Sequence, residues 1–230
     1  MPGAMDTQRR LFAEPDEASP VSLPGEAYWA ARTGAAASFA AGRVRGLEIL
    51  DVHTGEVAGR SALVAAAADV VALDRAIARG TTAAFPFPDG CFDAVVALDI
   101  IGHEHAPREF VAESLRVLRR PGALILSAPN RHTAPRNAFG RFEVGRKELT
   151  ALLAPTFDRV EVAGVFHGPR LTRTERLHRT SLPERLVGDP APDWPRWISR
   201  VVARTTRSDF KIESEGLETA LDLVAVAQLG

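Results

Sequence analysis

Asp51 and Asp74 each close an apolar run, LEILD at residues 47–51 and DVVALD at 69–74, and Asp99 lies near the end of a third, FDAVVALDII at 92–101. A carboxylate at the end of such a strand commonly accepts hydrogen bonds from ribose hydroxyls. Three histidines stand close behind: His53 two residues past Asp51, and His103 and His105 in the loop GHEHAP. An imidazole titrates near neutral pH and can take a proton from a hydroxyl or an acidic carbon. With Asp51, Asp74 and Asp99 nearby, His53 would gain basicity from a carboxylate neighbour; the plainer reading is that it packs into the space beneath a pocket. His103 is the second candidate base, its alternative being a plain hydrogen bond to backbone at the strand end. His105 reads as ordinary loop. A metal held by His103, Glu104 and His105 would need further ligands of defined direction, so no metal is expected. Cys91 falls at a loop-to-strand junction without an evident base and is a poor nucleophile.

These groups need a scaffold, and the pattern supplies one. The run ending in Asp51 passes into a turn carrying Gly55 and Gly59 and then into SALVAAAA, residues 61–68, which reads as strand, tight turn, helix. Such a turn places a ligand against unpaired N–H groups at a helix start, and its glycines permit close approach. The second carboxylate, about twenty residues on, completes a nucleoside-type pocket. RAIARGTTAA, residues 75–84, is too short for a crossover helix plus a strand. The third strand is therefore expected to be shortened or missing. Beyond it the sequence predicts a strand over 92–101, a helix over REFVAESLRVLRR broken by Pro121 and Gly122, and a strand over 123–130. A polar loop then leads to a helix from Arg146 to Ala154, a strand over 157–166, helical segments to about Arg204 and a last strand over 217–228. Residues 1–25, with Pro2, Pro15, Pro20 and Pro24, read as a flexible arm, and 26–230 as one domain that opens on an Ala-rich helix ending near Ala41.

Composition narrows the function classes. With 230 residues and a net charge of −1 there is room for one sizeable core and no basic surplus for a nucleic-acid backbone. A single cysteine excludes an internal disulfide and fits a cytoplasmic setting. No run reaches the ~18 to 20 apolar residues of a membrane span, and no secretory signal is expected at the amino terminus.

The strand order, with PFPDGCFDAVV, LRVLRRPGALILSAPN, FHGPRL and LDLVAVA, resembles the class I S-adenosylmethionine-dependent methyltransferases, small-molecule branch, from about Gly46 to Gln228. The resemblance implies an α/β, doubly wound, mostly parallel Rossmann-like sheet with an antiparallel last strand. It also implies S-adenosylmethionine as cofactor, held by Asp51, His53, Gly55, Asp74, Thr81 and Asp99. In that family an aspartate precedes a run close to Gly-x-Gly-x-Gly. Asp51, Gly55, Glu56 and Gly59 match a version of it, while His53 and Val57 add bulk where glycines are expected. Asp74 matches the ribose-binding acid, and Thr81 replaces the aspartate usually beside the adenine. His103 falls where the family commonly has a Glu-His pair, with Gly102 in place of the acid.

Each departure subtracts from cofactor binding, a good polar contact being worth ~1 kcal/mol. Three readings follow: a small-molecule methyltransferase; a cofactor-independent cyclase, dehydratase or isomerase using His53 or His103; and a non-catalytic partner of another enzyme or of a second copy. The acceptor wall is expected from the arm, the loop 131–143 and the segment 168–197. Arg131, Arg136, Arg141, Arg170 and Arg173 give it a basic cast suited to an acidic or phosphorylated substrate, or to a solvated face.

Overall fold

The apolar run before Asp51 forms the centre of the sheet. The computed structural model describes residues 24–53, 59–74, 84–101, 106–134, 144–179, 181–188 and 194–230. In it β1 (Glu48–His53) lies between β2 (Asp69–Asp74) and β3 (Phe92–Ala97), parallel to both. β4 (Leu118–Pro129) continues the parallel set, and β5 (Arg159–His167), β6 (Phe210–Glu213) and β7 (Asp222–Leu229) complete the order β2-β1-β3-β4-β7-β5-β6. β7 runs antiparallel to β4 and to β5, so β5 points the same way as β4. The carboxyl ends of β1, β2, β3, β4 and β5 therefore share one edge of the sheet.

Side chains alternate between two cores because successive residues of a strand point to opposite faces. Ile49, Ala94, Val96 and Ile125 pack with α1 (Pro24–Ala41), with Leu63 of α2 (Arg60–Ala66), and with helices late in the chain. Leu50, Val52, Val95 and Leu124 pack with α3 (Pro107–Val117) and α4 (Arg146–Leu153). Ile49 and Leu50 are completely buried on their opposite faces, which explains a near-continuous apolar run in place of alternation. The later helices are α5 (Pro169–His178), α6 (Leu182–Gly188) and α7 (Arg196–Ala203). Among the described residues no strand flanks β2 on its outer side; residues 75–83, where a shortened or missing third strand was expected, lie outside them.

Four boundaries differ from the sequence reading. α3 ends at Val117, and Leu118 already pairs with Phe92. Pro121 and Gly122 thus interrupt strand pairing, not a helix: the register jumps from Phe92↔Leu118 to Ala94↔Ala123 across them. β3 stops at Ala97 because Asp99 adopts a left-handed backbone, φ 57°, that no strand can contain. The last strand begins at Asp222, not at 217, since Leu217–Thr219 forms a 3-10 turn behind Gly216. β6 went unpredicted, being only four residues long.

Candidate functional site

The register of β1 on β2 brings three of the sequence-predicted residues together. His53 pairs with Asp74, and Asp51 lies two residues back on the same face. Asp51 is buried, while His53 and Asp74 are half-buried. The cluster contains a residue that the sequence reading missed. Arg60, the first residue of α2, brings its Nε to 3.4 Å from Asp51 Oδ2. A cation at a helix start opposes the helix dipole, and that local conflict was the available signal.

Burial raises the Asp51 carboxyl, an effect that Arg60 and His53 work against. Burial likewise lowers the His53 imidazole, helped by Arg60 and opposed by Asp51 and Asp74. The expected gain in basicity at His53 is thus reversed: the carboxylates are present, but desolvation outweighs them. His53 is consequently a neutral imidazole at pH 7.

Gly59, the residue before α2, has φ +89°, and a Cβ built on it would stand 2.4 Å from Ala37 Cβ. Only glycine meets both conditions, and α1 is pressed onto the turn there. From that point α1 runs along the carboxyl edge as a bar. Arg32 donates from Nε to Asp222 Oδ2 at 2.6 Å and from Nη2 to the Leu221 carbonyl at 2.8 Å, with a further contact to Asp222 Oδ1. The charge of Asp99 also acts on Arg32, and the Asp99 N–H donates to Ser127 Oγ at 2.9 Å. Asp99 thus belongs to the Arg32 group, one strand away from the Asp51 cluster. At the other end of α1 the Tyr28 hydroxyl meets His167 Nε2 at 2.6 Å, and His167 Nδ1 meets Glu175 Oε2 at 3.0 Å. A carboxylate can only accept, so Nδ1–H donates to Glu175, and in the neutral ring Nε2 then accepts from the tyrosine. No spacing pattern marks this relay, whose members are 139 and 8 residues apart.

Gly55, Val57, Thr81, His103, His105, Arg136 and Arg141 lie outside the described residues. Of the expected basic wall, Arg131 is paired with Glu148 at 2.6 Å and Arg170 with Asp209 at 2.6 Å, so neither offers a free charge to a ligand. Among the described residues no group of three or more His, Cys, Asp or Glu side chains is placed to hold a metal ion, and no helix is long and apolar enough to cross a membrane.

This sequence and its fold have relatives. Residues 33–126 match a family model described as a methyltransferase domain. A Mycobacterium tuberculosis protein named "probable S-adenosylmethionine-dependent methyltransferase" is 32% identical, covering 88% of this chain and 84% of its own length. A Mycolicibacterium smegmatis protein with a name of the same kind is 31% identical, covering 94% and 99%. Among solved structures, an S-adenosylmethionine-dependent methyltransferase from Thermotoga maritima superposes with a TM-score of 0.53 at 13% identity, covering 89% of this chain and 94% of its own. One from Archaeoglobus fulgidus reaches 0.50 at 12% identity, covering 84% and 94%. The structures speak for the fold and the mycobacterial relatives for the family: this chain belongs to the class I S-adenosylmethionine-dependent methyltransferases.

Proposed function

We propose that this protein transfers a methyl group from S-adenosylmethionine to a small-molecule acceptor. The observation that carries this reading is the meeting of Asp51, Arg60, His53 and Asp74 at the adjoining carboxyl ends of β1 and β2. That donor set fits the cofactor's chemistry. Asp74 is an acceptor for the ribose diol. Asp51 and Arg60, paired with each other at 3.4 Å, can exchange that pairing for the ammonium and carboxylate of the methionine part. Gly55 and Thr81 join this set through the family resemblance alone, and Asp99, in the Arg32 group one strand away, faces the cofactor from the β3 side. When bound, the cofactor supplies an electrophilic methyl on a sulfonium.

The protein's own task is then to hold the acceptor in line and to relieve it of a proton. His53, neutral because of its burial, can accept one; His103 is the second candidate. Calorimetry separates binding from chemistry. Asp74→Ala should weaken S-adenosylmethionine at least tenfold, since a charge-assisted hydrogen bond is worth ~1.5 to 3 kcal/mol. His53→Ala should lower turnover more than it lowers affinity. Unchanged affinity in Asp74→Ala would remove the ribose assignment.

A second reading rests on the same imidazole. His53 stands beside Asp51 and Asp74 where the family expects a glycine, an arrangement suited to proton-transfer chemistry without any cofactor. Turnover in the complete absence of S-adenosylmethionine would favour it.

A further inference from the structure

The carboxyl end of β5 carries a second opening on the same edge of the sheet. It is a cleft of about 440 Å³ lined by His167, Pro169, Thr172, Arg173, Arg176 and Lys211. Its floor is rigid. His167 is buried with both ring nitrogens engaged, by Tyr28 and by Glu175, and Thr172 Oγ1 lies 3.4 Å from the His167 carbonyl.

Its charge is unbalanced. The nearby carboxylates are already committed. Glu175 accepts from His167 and from the Leu182 N–H, Asp209 from Arg170 and the Thr206 N–H, and Glu213 from Lys211. Arg173 and Arg176, one turn apart on α5, are both exposed and have no hydrogen-bond or ion-pair partner among the described residues. Two exposed guanidiniums at one recess, with Lys211 beside them but already paired to Glu213 at 2.8 Å, form a receptor for a compact anion. Guanidinium forks suit the paired oxygens of a phosphate or a carboxylate.

The location makes this more than a charged surface. Four strand spacings of ~4.8 Å separate β1 from β5, roughly 19 Å along the sheet. Along α1, the nine residues from Tyr28 to Ala37 span roughly 14 Å. The cleft is therefore too far from Asp51 and Asp74 to belong to the cofactor's strand-end cluster. It lies on the side of β3 and β4 away from that cluster, where an acceptor would approach. We infer that this cleft binds the anionic group, phosphate or carboxylate, of an elongated methyl acceptor that reaches along the sheet edge from β5 toward the cofactor. The acceptor part of this inference rests on the methyltransferase reading; the anion site does not.

The test is an NMR titration of the full-length protein, followed at backbone amides, with inorganic phosphate and separately with acetate, alongside calorimetry with S-adenosylmethionine. Saturable shifts centred on Thr172, Arg173 and Lys211 are expected. Affinity should fall at least tenfold for each guanidinium removed in Arg173→Ala and in Arg173→Ala/Arg176→Ala. Lys147→Ala, which removes an exposed cation on α4, should leave it unchanged. Stronger binding of phosphate identifies a phosphorylated acceptor, and stronger binding of acetate a carboxylated one. Equal affinity in wild type and double variant, or shifts scattered over the surface, would overturn the anion site. Intact phosphate binding with no S-adenosylmethionine binding would instead strike the methyltransferase reading and with it the acceptor assignment.

Discussion

Gly59→Ala tests whether α1 is locked onto the turn beside the cluster of Asp51, Arg60, His53 and Asp74. Two separate penalties are expected. At φ +89° an alanine sits in a left-handed region that costs ~1 to 3 kcal/mol for a residue with a Cβ. Its Cβ would also lie 2.4 Å from Ala37 Cβ, well inside contact distance, and overpacking of this kind costs ~1 to 3 kcal/mol. The sum, about 2 to 6 kcal/mol, is a large share of the ~5 to 15 kcal/mol that holds a domain folded. At ~2 to 4 °C per kcal/mol for a chain of this size, the midpoint should drop by roughly 10 °C.

Urea unfolding of four proteins divides the two penalties: wild type, Gly59→Ala, Ala37→Gly and the double variant. Ala37→Gly alone should cost ~1 kcal/mol as a glycine inside a helix. In the double variant the clash is gone and the backbone strain remains. The cycle should therefore show a favourable coupling of ~1 to 3 kcal/mol. A Gly59→Ala protein within about 0.5 kcal/mol of wild type, or a cycle without coupling, would refute the packing of α1 on this turn.

Three further outcomes follow from the same edge. Arg32→Met strands Asp222 without its bidentate partner and should cost ~3 to 5 kcal/mol in chemical denaturation, whereas Arg32→Met/Asp222→Leu should recover much of the loss. Tyr28→Phe leaves His167 Nε2 buried without a donor and should cost ~1 to 3 kcal/mol, read as a lower unfolding midpoint. His53 has a folded-state pKa below its ordinary value, so the stability linked to it is present above about pH 6.5 and is lost as pH falls through the folded-state value. His53→Gln should therefore show a shallower loss of stability on acidification below about pH 6.5 than wild type; an identical profile would mean that the imidazole is not desolvated.

Much of this edge was legible in the residues. Asp51 and Asp74 were read from apolar runs that end in a carboxylate, and the strand register confirmed that such ends meet. The sign at His53 was not legible, since two carboxylate neighbours argue one way and desolvation the other, and sequence carries no measure of burial. Arg60 was overlooked because the reading looked for glycines at the turn and not for the cation that follows them. Tyr28, His167 and Glu175 come from three elements joined only by the tertiary fold, and no local pattern marks them. Pro121 and Gly122 misled for a physical reason: both interrupt a helix or a strand ladder with equal ease, and here they interrupt the ladder.

The most direct measurement is isothermal calorimetry of the wild-type protein with S-adenosylmethionine and S-adenosylhomocysteine. The strand-end cluster of Asp51, Arg60, His53 and Asp74 predicts saturable, one-to-one binding of both ligands, despite the imidazole at position 53. An absence of heat up to millimolar ligand, with the protein folded, would contradict it.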